Sequence, residues 1–141
     1  MGKIDMFGKK YYDDVRIVGA VVGEDSVLYI TRDYEDELFG FSLVRKKYMN
    51  DRKAPRMEQL LLGFKDARRL RGWLLGGMSG YFYANCHCWG EILMAVCMEG
   101  KVYFEIYRQY NKHNKRKLAD EVVVNRDDAY ALARRWEIPK E

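Results

Sequence analysis

Apolar and polar positions alternate one by one along residues 81–89, YFYANCHCW. Side chains on a strand point to opposite faces in turn. Phe82, Ala84, Cys86 and Cys88 therefore fall on one side, and Tyr81, Tyr83, Asn85, His87 and Trp89 on the other. The same period, with β-branched and aromatic enrichment, predicts strands at 15–22, 27–32, 38–48, 92–97 and 102–110, and short apolar strands at 59–62 and 121–124. The period then becomes helical, with apolar residues at Ala67, Leu70 and Leu74 and again at Ala129, Leu132, Ala133 and Trp136. Gly63 and Asn125 stand at turn or N-cap positions before the two helices. Gly76-Gly77 and Pro139 close them.

These elements come in the same order twice. MEQLLLGFKDARRLRGWLL (57–75) aligns with ADEVVVNRDDAYALARRWEI (119–138), placing Asp66, Ala67 and Leu70 on Asp128, Ala129 and Leu132 at constant spacing. Upstream, FGFSLVR (39–45) pairs with VYFEIYR (102–108), and VLYITR (27–32) with ILMAVC (92–97). Offsets change only where hairpin loops fall, and loops tolerate length changes. Self-similarity of this kind predicts duplication. The expected architecture is α+β: two tandem ββββα repeats, 11–77 and 78–141, forming one domain over 1–141. A unit of about sixty residues buries too little surface to stand alone, so the repeats should share a core. The helices should cover one face of the antiparallel sheets and leave the other open.

Composition narrows the setting. The chain has 141 residues, of which 48% are hydrophobic and 33% charged, as for a folded domain. No apolar run approaches the roughly 18 residues of a membrane span, and no signal-peptide pattern opens the chain. Cys86, Cys88 and Cys97 are an odd count, which reads as reduced thiols in a cytoplasmic setting. The net charge of +4 is modest, but its placement is uneven. RKKYMNDRKAPR (45–56) carries six basic residues against one acid, and RQYNKHNKRK (108–117) five against none, with DYEDE (33–37) as an acidic patch ahead of both. Clustered positive charge attracts polyanions even when the total is small; a solvated loop is the plainer reading.

The two cysteines flanking His87 invite a metal or redox reading. On a strand, Cys86 and Cys88 point one way and His87 the other, and no second C-x-x-C or paired histidine completes four ligands. Core packing is the expected role of both thiols, with no metal and no cofactor.

The opposite face remains to be explained. Tyr81, Tyr83, His87 and Trp89, with Tyr103 and Tyr107 of the third predicted strand of the repeat, are costly to leave bare in water. Covering by the partner repeat or another chain is one reading. Stacking is the other: aromatic side chains hold the bases of single-stranded nucleic acid at about 1–3 kcal/mol per base. Lys46, Tyr48, Lys53, Arg56, Lys112, Lys115, Arg116 and Lys117 would then hold the phosphates. This suits a single strand better than a duplex, whose bases are already stacked.

The stretch GKVYFEIYRQYNKHNKRKLADEVVVNRDDAYALARRW (100–136) resembles the C-terminal domain of the positive cofactor four transcriptional coactivators, through Gly100, Lys101, Val102, Glu105, Ile106 and Tyr110. Tyr107 and Arg108 shift its basic residue by one place. The first repeat matches through Phe39, Phe41, Leu43, Arg45 and Tyr48 and lacks the Gly-Lys-Val opening. Two copies in one chain are more similar to PUR-repeat proteins, which, like the Whirly fold, pair sheet-then-helix units. The resemblance, over residues 15–138, implies a single-stranded DNA or RNA binder, in transcription or replication, without catalysis.

Enzyme chemistry finds no foothold: the chain has two histidines and no nucleophile-elbow, zincin, Walker or dinucleotide pattern. Asp127 and Asp128 read as helix N-terminal acids, His113 as a loop residue, and the arginines of 66–75 as a wet helix face. The alternative to nucleic acid is a protein-binding module, such as a phage-encoded inhibitor, a polymerase-associated factor or a self-associating homodimer, because Tyr and Trp also favour such surfaces.

Overall fold

Each predicted run of alternation becomes a strand, and the strands gather into two four-stranded antiparallel sheets, each followed by a helix. The structure, a computed structural model, describes residues 3–4, 10–11, 15–33, 37–46, 59–88, 90–109 and 115–139. A short pair, β1 (Lys3–Ile4) and β2 (Lys10–Tyr11), comes first and was not foreseen from the pattern. Sheet one holds β3 (Val15–Val22), β4 (Ser26–Asp33), β5 (Leu38–Arg45) and β6 (Gln59–Gly63), followed by α1 (Phe64–Leu75). Sheet two holds β7 (Tyr81–Asn85), β8 (Glu91–Met98), β9 (Lys101–Arg108) and β10 (Lys117–Asn125), followed by α2 (Arg126–Arg135).

Equivalent contacts recur in the two repeats. Val27 pairs with Val44 in sheet one, and Ile92 with Tyr107 in sheet two, as the sequence alignment requires. Both first hairpins close in the same way: Gly23 N–H donates to Ser26 O, and Cys86 N–H to Glu91 O. The next residue of each repeat then crosses to the fourth strand of the other. Glu24 N–H donates to Val123 O at 2.9 Å, and His87 N–H to Leu61 O at 2.7 Å. The sheets are thus joined edge to edge at both sides. Gly23 makes one junction possible, since a Cβ there would sit 2.5 Å from the Val123 carbonyl oxygen.

The helices lie antiparallel on the inner faces. Arg126, opening α2, donates to Gly77 O just beyond α1. From α1, Arg71 Nε donates to Ala133 O and Trp136 O, and Arg68 to Pro139 O. Cations at a helix C-terminus bond its orphan carbonyls and oppose its dipole. Arg71, expected on a wet face, is therefore a cap of α2, while Arg68 holds the segment that follows the helix. Asn125 caps α2 by accepting from Asp127 N–H, as its position predicts.

One core serves both repeats. Ala67, Leu70 and Leu74 of α1 and Ala129, Leu132 and Ala133 of α2 are buried against Leu28, Ile30, Phe39, Phe41, Leu60 and Leu62 of sheet one and Phe82, Leu93, Phe104 and Val122 of sheet two. Trp136, the last buried residue of the second repeat, packs edge-on against Phe39 and Phe41 of the first, with ring centroids 5.2 and 5.7 Å away. A fully buried side chain of this kind contributes about 1.5–3 kcal/mol by removal from water. The repeats are thermodynamically interlocked, not merely adjacent.

Among the described residues the outer face of sheet two is the more open one, whereas that of sheet one is closed over β4 and β5 and exposed at β3, through Ile17, Ala20 and Val22. In sheet one, the outward residues Val27, Thr31, Leu38, Ser42 and Val44 are buried as well. Strand β5 is buried on both faces, and its uncharged run LFGFSLV suits a strand with no side in water.

Candidate nucleic-acid interface

Strict alternation places the tyrosines. Along β7, Phe82 and Ala84 are buried against the helices, while Tyr81 is 66% exposed and Tyr83 half-buried on the other side. Along β9, Val102, Phe104 and Ile106 point inward, leaving Lys101, Tyr103, Glu105 and Tyr107 outward. Strand register then builds rows across the open face. Tyr81, Val96, Tyr103 and Val123 form one row; Tyr83, Met94, Glu105 and Glu121 form the next. The third runs Asn85, Ile92, Tyr107 and Leu118, with Ile92 buried. Same-face residues lie about 7 Å apart along a strand and about 5 Å apart across adjacent strands. Four tyrosines thus share one surface, two each on β7 and β9.

The alternation ends sooner than the sequence pattern suggests. Strand β7 stops at Asn85, and Cys86, His87, Cys88 and Gly90 belong to the turn back into β8. Gly90 makes that turn with φ +80°, where a Cβ would meet Gln109 O at 2.6 Å. Cys86 remains buried, but Cys88 is exposed, contrary to its expected core position, because it lies in the turn. Burial, with the charge of Glu91 next, pushes the Cys86 thiol up to about 12. The Cys88 thiol is also raised, by partial burial and then Glu91. No group of three potential metal ligands converges among the described residues.

The turn also repositions His87. It is exposed, but its backbone is tied to Leu61 of β6, so it sits at the sheet junction rather than in the tyrosine rows. Trp89, Tyr48, Lys53, Arg56 and Lys112 lie outside the described residues. Lys115, Arg116 and Lys117 are exposed where the chain enters β10. Lys117 belongs to that strand, which begins four residues before the predicted 121, rather than to the loop. Lys46 is exposed at the end of β5, its N–H bonded to Asp25 O. Arg45 and Leu118, the neighbours of Lys46 and Lys117, line one cleft of about 300 Å³ between the sheets. The end of β5 and the start of β10 thus border one cleft, whose walls also carry Glu24, Asp25, Asp120 and Glu121.

Two features of the face were not singled out in the sequence. One is aliphatic: Met94, Val96, Met98, Val123 and Leu118 surround the tyrosines, and Met98 and Leu118 are each 51% exposed. Parity in ILMAVCM carries that signal. The other is the carboxyl pair. Glu105 and Glu121 stand directly opposite on β9 and β10 and hydrogen-bond each other. Burial, followed by the bond to Glu105 and its charge, raises the Glu121 carboxyl above its ordinary range. The Tyr107 hydroxyl bonds Glu105 as well, its pKa raised by burial and then by that carboxylate. At the far edge, Lys101 is engaged by Glu24 of the other repeat, which raises the ammonium pKa.

No family model matches this chain, and no curated protein or solved structure matches it either. Among the described residues no helix is long and apolar enough to cross a membrane.

Proposed function

We propose that the open face of sheet two holds a single strand of nucleic acid, DNA in the first instance, in a transcription- or replication-linked process and without catalysis. The observation that supports this reading is the sharing of one solvent-facing surface by Tyr81, Tyr83, Tyr103 and Tyr107. Each tyrosine offers a flat apolar ring to a base, and stacking of this kind needs no particular base. Lys115, Arg116 and Lys117 lead into the strand that borders the face and would carry the phosphates. The reading rests on this arrangement rather than on the resemblance to coactivator and PUR-repeat domains.

Fluorescence anisotropy with labelled single-stranded and duplex DNA at two salt concentrations tests it. The expected result is binding of single strands in preference to duplex, weakening steeply as salt rises. Absence of binding at low salt would refute it.

A protein partner, a second copy of the chain included, is the second reading, favoured by the methionine and valine rows and by the acidic centre of the face. Such an interface would bury apolar area and respond weakly to salt.

A further inference from the structure

The tyrosine face has a polar centre whose chemistry is one-sided. Glu105 and Glu121 occupy the β9–β10 end of the middle row, beside Met94 and then Tyr83, with the Tyr103 and Tyr107 rows on either side. Asp120, the next acid on β10, turns the other way to Arg45, at 2.7 Å. Among the described residues no cation bonds either glutamate. The Tyr107 hydroxyl is directed at Glu105. What remains for a ligand is a set of oxygen lone pairs, which accept hydrogen bonds and donate none.

A phosphate cannot lie over that centre, since it brings only acceptors and negative charge. A strand on this face must keep its backbone toward the basic rim and turn its base edges inward. Bases differ there. Cytosine, adenine and guanine carry an exocyclic amino group that donates to a carboxylate, as in the glutamate–cytosine pairing of duplex readers. Thymine and uracil carry no amino group, and their single ring N–H is flanked by two carbonyl acceptors that would face the lone pairs.

Building on the proposed function, we infer that the Glu105–Glu121 centre makes this face select strands whose bases carry an exocyclic amino group and disfavour thymine and uracil. The discrimination belongs to the base edge, while affinity belongs to the tyrosines and the basic rim.

The test is anisotropy at neutral pH with labelled dC, dA and dT 12-mers, on the full chain and on the Glu105→Gln/Glu121→Gln double variant. The chain as it stands should bind dC and dA about tenfold or more tightly than dT, the lower end of what base-edge hydrogen bonds give. Glutamine amides also donate, so the variant should bring dT to within about threefold of dC. Circular dichroism confirms that the variant is folded. Equal binding of dT and dC by the unaltered chain, or discrimination that survives in the folded variant, overturns the inference and leaves the nucleic-acid reading intact. Failure of all three strands to bind overturns both.

Discussion

Arg45 Nη2 lies 2.7 Å from Asp120 Oδ1, so the end of β5 in one repeat is bonded to β10 in the other. The equivalent arginine behaves differently. Arg108 is bonded at 2.7 Å by Glu91, its cross-strand neighbour. In the first repeat that neighbour is Ser26, too short to reach, and Arg45 turns to the opposite sheet. Two copies of one unit have thus diverged at a single cross-strand position, and the released arginine ties the copies together. The Asp120 side chain is 6% exposed and also accepts from Glu121 N–H.

Asp120→Ala removes both bonds and should lower stability to urea by about 1–3 kcal/mol. The figure stays below that of a fully buried pair because the Arg45 side chain is 38% exposed. A loss under about 0.5 kcal/mol would mean that the bond behaves as an ordinary surface pair.

Trp136→Ala should cost about 3–5 kcal/mol, since the cavity opens between the repeats. Trp136→Phe should cost clearly less, because it keeps most of the ring and removes a buried indole N–H that has no partner among the described residues. In the same vein, residues 78–141 alone should show little cooperative unfolding, which far-ultraviolet circular dichroism reads directly. A cooperative transition in that fragment would contradict the shared core.

Glu121 gives a pH dependence of definite sign. Its folded carboxyl is raised, so the folded state holds the proton more tightly than the unfolded chain. The corresponding stability is present below the unfolded value, about 4.3, and is lost as pH rises through the folded one. Glu121→Gln should therefore be more stable than the unaltered chain at pH 7 to 8, and the gap should close near pH 4. Urea midpoints at both pH values measure this; a gap that widens in acid would reverse the assignment.

The three thiols should differ in reactivity. Cys88 is exposed, Cys97 partly buried, and Cys86 buried with its thiol at about 12. Iodoacetamide at pH 8, followed by peptide mass spectrometry, should label Cys88 first and Cys86 only on unfolding. Early labelling of Cys86 would place it outside the core.

Particular residues show where the sequence was legible. Phe82, Ala84 and Cys86 were assigned inward from alternation alone, and so were Tyr81 and Tyr83 outward, because parity is local information. The same parity puts Cys88 inward, but the strand ends at Asn85 and Cys88 lies in the turn that Gly90 closes. The burial of β5 on both faces is readable from the chain: Leu38, Gly40, Ser42 and Val44 interrupt the aromatic positions without a single charge. The Glu105–Glu121 pair depends on a register that includes an irregularity between Leu118 and Asp120, and the sequence does not encode that register locally. Arg45–Asp120 and Arg71–Trp136 lie far apart in the chain, and no pattern signal announces them.

Photo-crosslinking of a bound single strand carrying 5-iodocytosine, with the attached residues located by mass spectrometry, tests the tyrosine face most directly. Crosslinks to Tyr81, Tyr83, Tyr103 or Tyr107 are the predicted result. A strand that binds but crosslinks only to sheet one or to the helices would contradict it.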